Sequence, residues 1–284
     1  MKLTVLVDNN TLIDRYFIGE PGVSYYIQTA GRQYLFDTGY SDAFLQNAGK
    51  MGIDLRQLDG LILSHGHLDH TWGLPHLIRL FTEAGFEGYP VKKPRLVAHP
   101  GAFQPKSMGN LAEISSLLPV GSLAKHFDVQ LQKEPLWLTD NLVYLGEIPR
   151  ENDFEALTPI GKTELDGQLQ DDFIMDDTAL ALKTPQGIVL VAGCAHAGIC
   201  NTIEYAKKVL GDSRVVDVIG GFHLQNASPH QLSKTVNYMR ELQPGVLHAC
   251  HCTDLNAKIA LAAASPLQEV GVGLVLDYNE DAPA

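Results

Sequence analysis

The run Ser64-His65-Gly66-His67-Leu68-Asp69-His70 constrains this chain more than any other stretch. It follows the apolar Leu61-Ile62-Leu63, which reads as a short buried strand. Three histidines and an aspartate within six positions are hard to account for as packing. Neutral imidazole nitrogens and carboxylate oxygens are the ligands that Zn²⁺ and similar borderline metals take. At the end of a strand they sit on a loop whose backbone can curl around an ion. His65 and His67 can point the same way in an extended segment, because side chains repeat every two residues. Asp69 and His70 fall beyond the turn and can face a second ion. One loop can thus serve two adjacent metals, as two-metal hydrolysis requires. The plain alternative is a surface loop rich in histidine.

The length of 284 residues fits one large α/β domain or two small ones, and it suffices to bury a full core. No stretch approaches the ~20 apolar residues of a membrane span. The start, Met1 to Asp8, reads as a first strand rather than a secretory signal. Cytoplasmic residence, with no membrane partner, is the expectation. The formal net charge of -12 argues against nucleic acid, whose phosphates are held by Lys and Arg. An anionic small molecule is still allowed, because bound divalent metals offset negative charge locally.

The cysteines are Cys194, Cys200, Cys250 and Cys252, too sparse for a disulfide framework in a chain of this size. Cys194-Ala195-His196 and Cys250-His251-Cys252 place thiols beside histidines, as site candidates. Cys200 and Cys250 read equally well as buried thiols packing as small hydrophobes.

Strands are expected over 23–29 and 33–36, joined by a turn at Ala30-Gly31-Arg32. A helix follows over 42–48, capped by Ser41, and another over 73–84. From about 100 to 177 the rhythm weakens, apart from a hairpin over 136–138 and 142–145. Such a span is expected to be an insertion or lid. Its carboxylates Asp171, Asp172, Asp176 and Asp177 read as a solvated patch, or with one of them reaching the metals. Lys106 reads as an exposed lysine, or as a phosphate contact. The last third alternates strands over 179–183, 188–192, 215–219 and 246–249 with helices over 199–210, 230–242 and 255–264. That alternation argues for layered α/β architecture. No Gly/Ser linker or repeat divides the chain, so one domain over 1–284 is expected.

The His-x-His-x-Asp-His run resembles the signature of the metallo-β-lactamase superfamily. The resemblance implies a four-layer αββα sandwich with two metals at one edge of the sheets. It also implies hydrolysis by a metal-bound hydroxide. In most of the superfamily the strand corresponding to Gly187–Ala192 ends in Gly-Asp, whose carboxylate bridges the metals; here it ends in Gly193-Cys194. Either the Cys194 thiolate binds or bridges, or His196 reaches the metals from two residues on. The alternative for His196 is a helix-start histidine bonded to local backbone. The superfamily's third histidine aligns with Asp177-Thr178, so Asp177 substitutes for it or His196 fills the same space. His251 matches the last metal histidine and completes a second site with Asp69 and His70. His248 is expected to point into the sheet. Asp37, in Asp37-Thr38-Gly39, resembles an element that orients a ligating histidine from behind. Gly220-Gly221 suggests backbone close to a ligand. Gly193-Cys194-Ala195-His196-Ala197-Gly198-Ile199, Gly220-Gly221-Phe222-His223-Leu224 and His251-Cys252-Thr253 are similar to one branch, the dihydropterin-methyl-ribofuranosylaminobenzene-phosphate synthase-like proteins.

The expected metal ligands are therefore His65, His67, Asp69, His70, Cys194, His196 and His251. The expected catalytic residues are Asp69 and His223, the latter to bind substrate or protonate a leaving group. Two divalent ions, zinc first and iron or manganese as alternatives, would bring the pKa of a shared water to about 7. The expected activity is hydrolysis of a small phosphoester, ester or lactone. The competing readings are an iron-dependent oxidoreductase, a synthase-like transferase, and a metal-bearing binding protein without turnover.

Overall fold

A computed structural model describes residues 1–165 and 167–278; the remainder of the expected 1–284 domain lies outside the described residues. The first half holds β1 (Lys2–Val7), β2 (Ser24–Thr29), β3 (Arg32–Phe36), α1 (Ala43–Lys50), β4 (Gly60–Ile62), α2 (Leu68–Thr71), α3 (Leu74–Phe86) and β5 (Arg95–Ala98). Then come β6 (Lys106–Ser107), α4 (Val120–Leu123), β7 (Asp128–Leu131), β8 (Leu136–Trp137), β9 (Leu142–Tyr144), β10 (Gly161–Leu165) and β11 (Gln168–Asp172). The last part holds β12 (Ala179–Thr184), β13 (Gly187–Ala192), α5 (Ile199–Leu210), β14 (Val215–Gly221), α6 (Pro229–Leu242), β15 (Val246–Cys250), α7 (Leu255–Ala262) and β16 (Val275–Asp277).

One sheet has the strand order β16-β1-β2-β3-β4-β5-β7, the other β15-β14-β13-β12-β9-β8. The period-2 alternation of their strands makes the layers. Val189 and Val191 of β13 join Leu3, Val5, Ile27, Phe36 and Ile62 in the core between the sheets. Ile188 and Leu190 of β13 face the other way, against Ile203 of α5 and Met239 of α6. On the far side, Leu35 and Leu61 pack with Phe44 of α1 and with Leu77 and Phe81 of α3. The result is the expected αββα sandwich. Each fully buried Leu, Ile or Val contributes roughly 1.5–3 kcal/mol relative to exposure.

Local chemistry matches these elements. The β2–β3 turn is Ala30-Gly31, with φ of 49° and 70°, the doubly left-handed geometry that suits a two-residue hairpin. Helix α6 is capped by Ser228 Oγ, which accepts from Gln231 N at 3.1 Å, and begins at Pro229. Ser41 Oγ accepts from Ala43 N at 3.1 Å, although Asp42 occupies the cap position of α1.

The span 100–177 does more than cover the site. Strand β7 extends the first sheet beside β5, and β8 and β9 complete the second beside β12. Only β6, β10 and β11 stand apart, as a three-stranded sheet. The carboxylates expected to be a solvated patch are mostly inside: Asp172, Asp176 and Asp177 are buried, and Asp171 alone is exposed. Lys106, expected to be exposed, is buried as well, and it donates to Asp172 Oδ2 at 2.9 Å and Asp176 Oδ1 at 2.8 Å. Opposite charges distant in sequence bury one another, which a local pattern of polar residues does not reveal.

Candidate metal centre

Strands β3 and β4 run parallel, as do β13, β14 and β15. The segments leaving their C-terminal ends carry Asp37, His65, Cys194, His223 and His251. Open α/β sheets gather ligands at such ends.

Two groups of side chains have ligand atoms close enough to share an ion. One is Asp69, His70, Cys194 and His251; the other is His65, Cys194 and His196. Within each group all the ligand atoms lie within 4.8 Å of one another, and Cys194 belongs to both. Asp69 and His70 sit on the one-turn helix α2, beyond His65, so the run does divide between two places. His67 joins neither group, but its ring centroid is 4.7 Å from that of His65 and 4.9 Å from that of His196. Asp177 also stays outside. Its Oδ2 accepts from Ala197 N at 2.8 Å, so it is His196 that enters the cluster.

The inward ring nitrogens crowd together. His65 Nε2 lies 3.1 Å from both His67 Nδ1 and His196 Nε2. Burial holds His65 and His196 well below the usual imidazole range, and pushes His67 down to about 4. With one N–H on each neutral ring both contacts can be hydrogen bonds, but they use up one nitrogen of His67 and one of His196 and leave the other of each without a partner. His67 Nε2 and His196 Nδ1 are buried with no hydrogen-bond partner among the described residues. His251 Nε2 lies 3.2 Å from Asp69 Oδ2 without making a hydrogen bond. Converging imidazole, thiol and carboxylate donors of this kind fit a borderline divalent cation.

Supporting contacts aim these donors. Asp37 Oδ2 is 2.7 Å from His70 Nδ1, as the Asp-Thr-Gly element led one to expect. The same carboxylate accepts from Ser64 N at 2.7 Å and from Ser64 Oγ at 2.6 Å, fixing the start of the loop. Ser64 Oγ in turn meets His65 Nδ1 at 2.9 Å. A Cβ on Gly193 would fall 2.2 Å from Ser64 Oγ, so only glycine lets β13 approach this loop. Four residues around the centre, Asp37, Ala195, His223 and His251, hold left-handed φ between 44° and 60°. Such conformations cost on the order of 1–3 kcal/mol each and persist where the surroundings over-determine them.

Some supporting residues were not evident from sequence. Asp8 Oδ1 accepts from His251 N at 3.0 Å, and Asn9 Oδ1 meets His251 Nδ1 at 2.8 Å. The signal was present, because Val7-Asp8 repeats the strand-then-aspartate pattern of Phe36-Asp37. Cys252 is buried against Cys194, its Sγ 3.5 Å from Cys194 O, and it accepts from His223 N at 3.3 Å. The Gly220-Gly221 pair, expected to approach a ligand, instead makes room for protein: a Cβ on Gly221 would lie 2.5 Å from Cys252 Sγ. His248 is directed into the sheet, 2.8 Å from Asp217 Oδ1. Cys200 packs in the helix-side core, and Cys250 Sγ meets Tyr25 OH at 3.2 Å between the sheets.

Charge in the metal-free centre is finely divided. Burial lowers His70, but Asp69 and Asp37 outweigh it and bring the ring up to about 9. Burial raises Asp177 to about 7, with Asp176 adding to the effect. The His70 contribution to stability is present below the free imidazole value of ~6.5 and is lost as pH rises through about 9. His65, His67 and His196 act oppositely, because the unfolded chain takes up their protons first, so stability falls as pH drops below ~6.5. Asp177 opposes those three over the acid range, as one group against three. Thermal melts of the chelator-stripped protein are therefore expected to peak near pH ~6.5 and to fall on both sides. A melting temperature that climbs steadily to pH 9 contradicts the assignment of these charges.

The family model of the metallo-beta-lactamase superfamily matches residues 18–251. The chain belongs to that superfamily, whose members generally bind divalent metals. Among curated relatives it is 29% identical to the 7,8-dihydropterin-6-methyl-4-(beta-D-ribofuranosyl)-aminobenzene-5'-phosphate synthase of Methanocaldococcus jannaschii, over 91% of this chain and 89% of that protein. It is equally, 29%, identical to the uncharacterized protein MJ0448 of the same organism, over 96% of this chain and 99% of the other. Among solved structures it resembles Tm1679, described as a metal-dependent hydrolase of the beta-lactamase superfamily, with TM-score 0.82 and 27% identity over 98% of this chain and 99% of that one. The metallo-beta-lactamase fold protein YhfI from Bacillus subtilis shares the fold, with TM-score 0.60 at 14% identity over 97% of this chain and 98% of that one.

Proposed function

We propose that the protein is a metal-dependent hydrolase of a small phosphoester or a related ester or lactone, with two divalent ions at the centre. The observation that carries this reading is the pair of ligand groups meeting at Cys194. His65, His196 and Cys194 would hold one ion, with His67 beside them, and Asp69, His70, His251 and Cys194 the other. When bound, such ions supply Lewis acidity and a water ionising near ~7, which is the chemistry of ester hydrolysis. The chain's own groups do the rest. Asp37 locks the tautomer of His70 through Nδ1. Asp69, one-quarter exposed, faces His251 and His70 and is the candidate to orient the attacking water. The His223 ring lies 4.4 Å from the His196 ring with Nδ1 unpartnered, so it is placed to bind substrate or protonate a leaving oxygen.

The overall charge of -12 supports a small-molecule substrate over nucleic acid. No helix among the described residues is long and apolar enough to cross a membrane. A second reading has its own support: the curated relative is named a synthase, so transfer to an acceptor other than water is the alternative for the same centre. The thiol donor also leaves an iron redox centre open, for which visible absorbance of the purified protein is the sign.

Elemental analysis with a screen on phosphodiesters, lactones and thioesters tests the proposal. The expected result is about two metal equivalents per chain, turnover abolished by chelation, and recovery on adding zinc or manganese. Turnover unchanged in the stripped protein, or none on the whole panel, counts against hydrolysis.

A further inference from the structure

We infer that the cleft beside His196 and His223 seats the non-reacting body of the substrate, and that this body is uncharged, with one apolar face and a hydrogen-bonding edge. The inference rests on the centre being the place of reaction. The cleft encloses about 350 Å³ and has His196 and His223 in its lining. That is within the range of small-ligand sites, roughly 300–1,000 Å³. Phe154, Leu157 and Phe173 supply apolar lining, and Gln225, Asn226 and Gln231 supply side-chain amides. Among the described residues that line it, none is Asp, Glu, Lys or Arg.

Charged groups do lie behind these walls, but they are committed elsewhere. Glu155 is 2% exposed and accepts from Cys200 N at 3.1 Å, Asn201 N at 3.0 Å and Asn152 Nδ2 at 2.7 Å. It pins the segment carrying Phe154 and Leu157 to the start of α5. Arg150 donates to Phe173 O, and to Ile174 O at 2.9 Å, and so holds the segment that carries Phe173. Two of the amides at the start of α6 are engaged as well: Gln231 N goes to Ser228 Oγ at 3.1 Å, and Leu232 N to Ser228 O at 2.9 Å. Away from the two histidines, an ionised substituent entering the cleft would lose water and meet no charged side chain in the lining, whereas neutral donors and acceptors would find amides. The larger cavity on the other side of Phe173, about 680 Å³, shows the contrast, because Lys106, Asp171, Asp172 and Asp176 line it.

The test is titration calorimetry of the metal-loaded protein with three probes: phenyl methylphosphonate and its 4-carboxy and 4-trimethylammonio derivatives. The phenyl probe is expected to bind at least about tenfold more tightly than either charged one. In Gln231→Glu the order is expected to shift toward the ammonium probe. That variant keeps the fold, because an acidic residue three positions after a serine cap favours the helix. Equal binding of the three probes, preference for the carboxylate, or no binding at all overturns the inference. Hydrolysis is scored separately with phenyl esters. Selective binding without turnover upholds the cleft and counts against the hydrolytic reading alone.

Discussion

The Cys194→Ala protein is expected to stay folded while losing most of its metal and at least about a hundredfold in turnover. The size follows from position. Cys194 Sγ is the atom common to both ligand groups, and it lies 3.2 Å from His70 Nε2. Outer-shell changes at metal sites already cost about 10–100-fold, and a shared ligand stands nearer than those. The structural cost is small by comparison, on the order of 1 kcal/mol for a lost buried sulfur. Burial and the neighbouring Cys252 push the free Cys194 thiol well above its ordinary value. Deprotonation must therefore come with cation binding, and apparent affinity should rise with pH. Cys194→Asp is the informative companion. It restores the carboxylate that the superfamily resemblance places here, and it is expected to recover metal with a preference moved toward harder cations. Full metal content and turnover in Cys194→Ala, measured by elemental analysis and kinetics, removes the thiol from the centre.

Lys106→Met is expected to lower the melting temperature on the order of 10 °C, which corresponds to roughly 3–5 kcal/mol for a broken buried ion pair. Lys106 is the buried partner of both Asp172 and Asp176, so its loss leaves two carboxylates without a counter-charge. The damage should reach the centre as well. Asp176 Oδ2 accepts from Gly66 N at 2.7 Å, between His65 and His67. The Lys106–Asp176 pair thereby ties the small third sheet to the histidine loop. Adding Asp172→Asn to Lys106→Met should return part of the lost stability. It removes one orphaned charge, and the amide oxygen can still accept from Ile174 N, as Asp172 Oδ1 does at 2.8 Å. A Lys106→Met protein that melts within 2–3 °C of the parent, where roughly 1 kcal/mol sits, means that the triad is solvated.

These two residues mark how far the sequence is legible. Cys194 could be singled out because it closes an apolar strand and precedes a histidine, and strands with such endings are local patterns. The same holds for His65 to His70, for the β2–β3 turn and for the Ser228 cap. The burial of Lys106, Asp172 and Asp176 is not legible in sequence, because burial is a tertiary property. A lysine on a two-residue strand looks exposed until the chain returns some seventy residues later with its counter-ions. Cys252 stands out in sequence as a thiol beside His251, but its partners do not. Its neighbours Cys194, Gly221 and His223 come from the ends of other strands. His67 has the same local pattern, and its ring stays against those of His65 and His196. Its Nδ1 lies 3.1 Å from His65 Nε2, beside the two ligand groups.

Anomalous diffraction from crystals grown with zinc tests the central claim most directly. The expected result is two metal peaks, one against His65 and His196 and one against Asp69, His70 and His251, with Cys194 Sγ in contact with both. A single peak that leaves either set of side chains bare, or a Cys194 sulfur turned away from the metal, would contradict it.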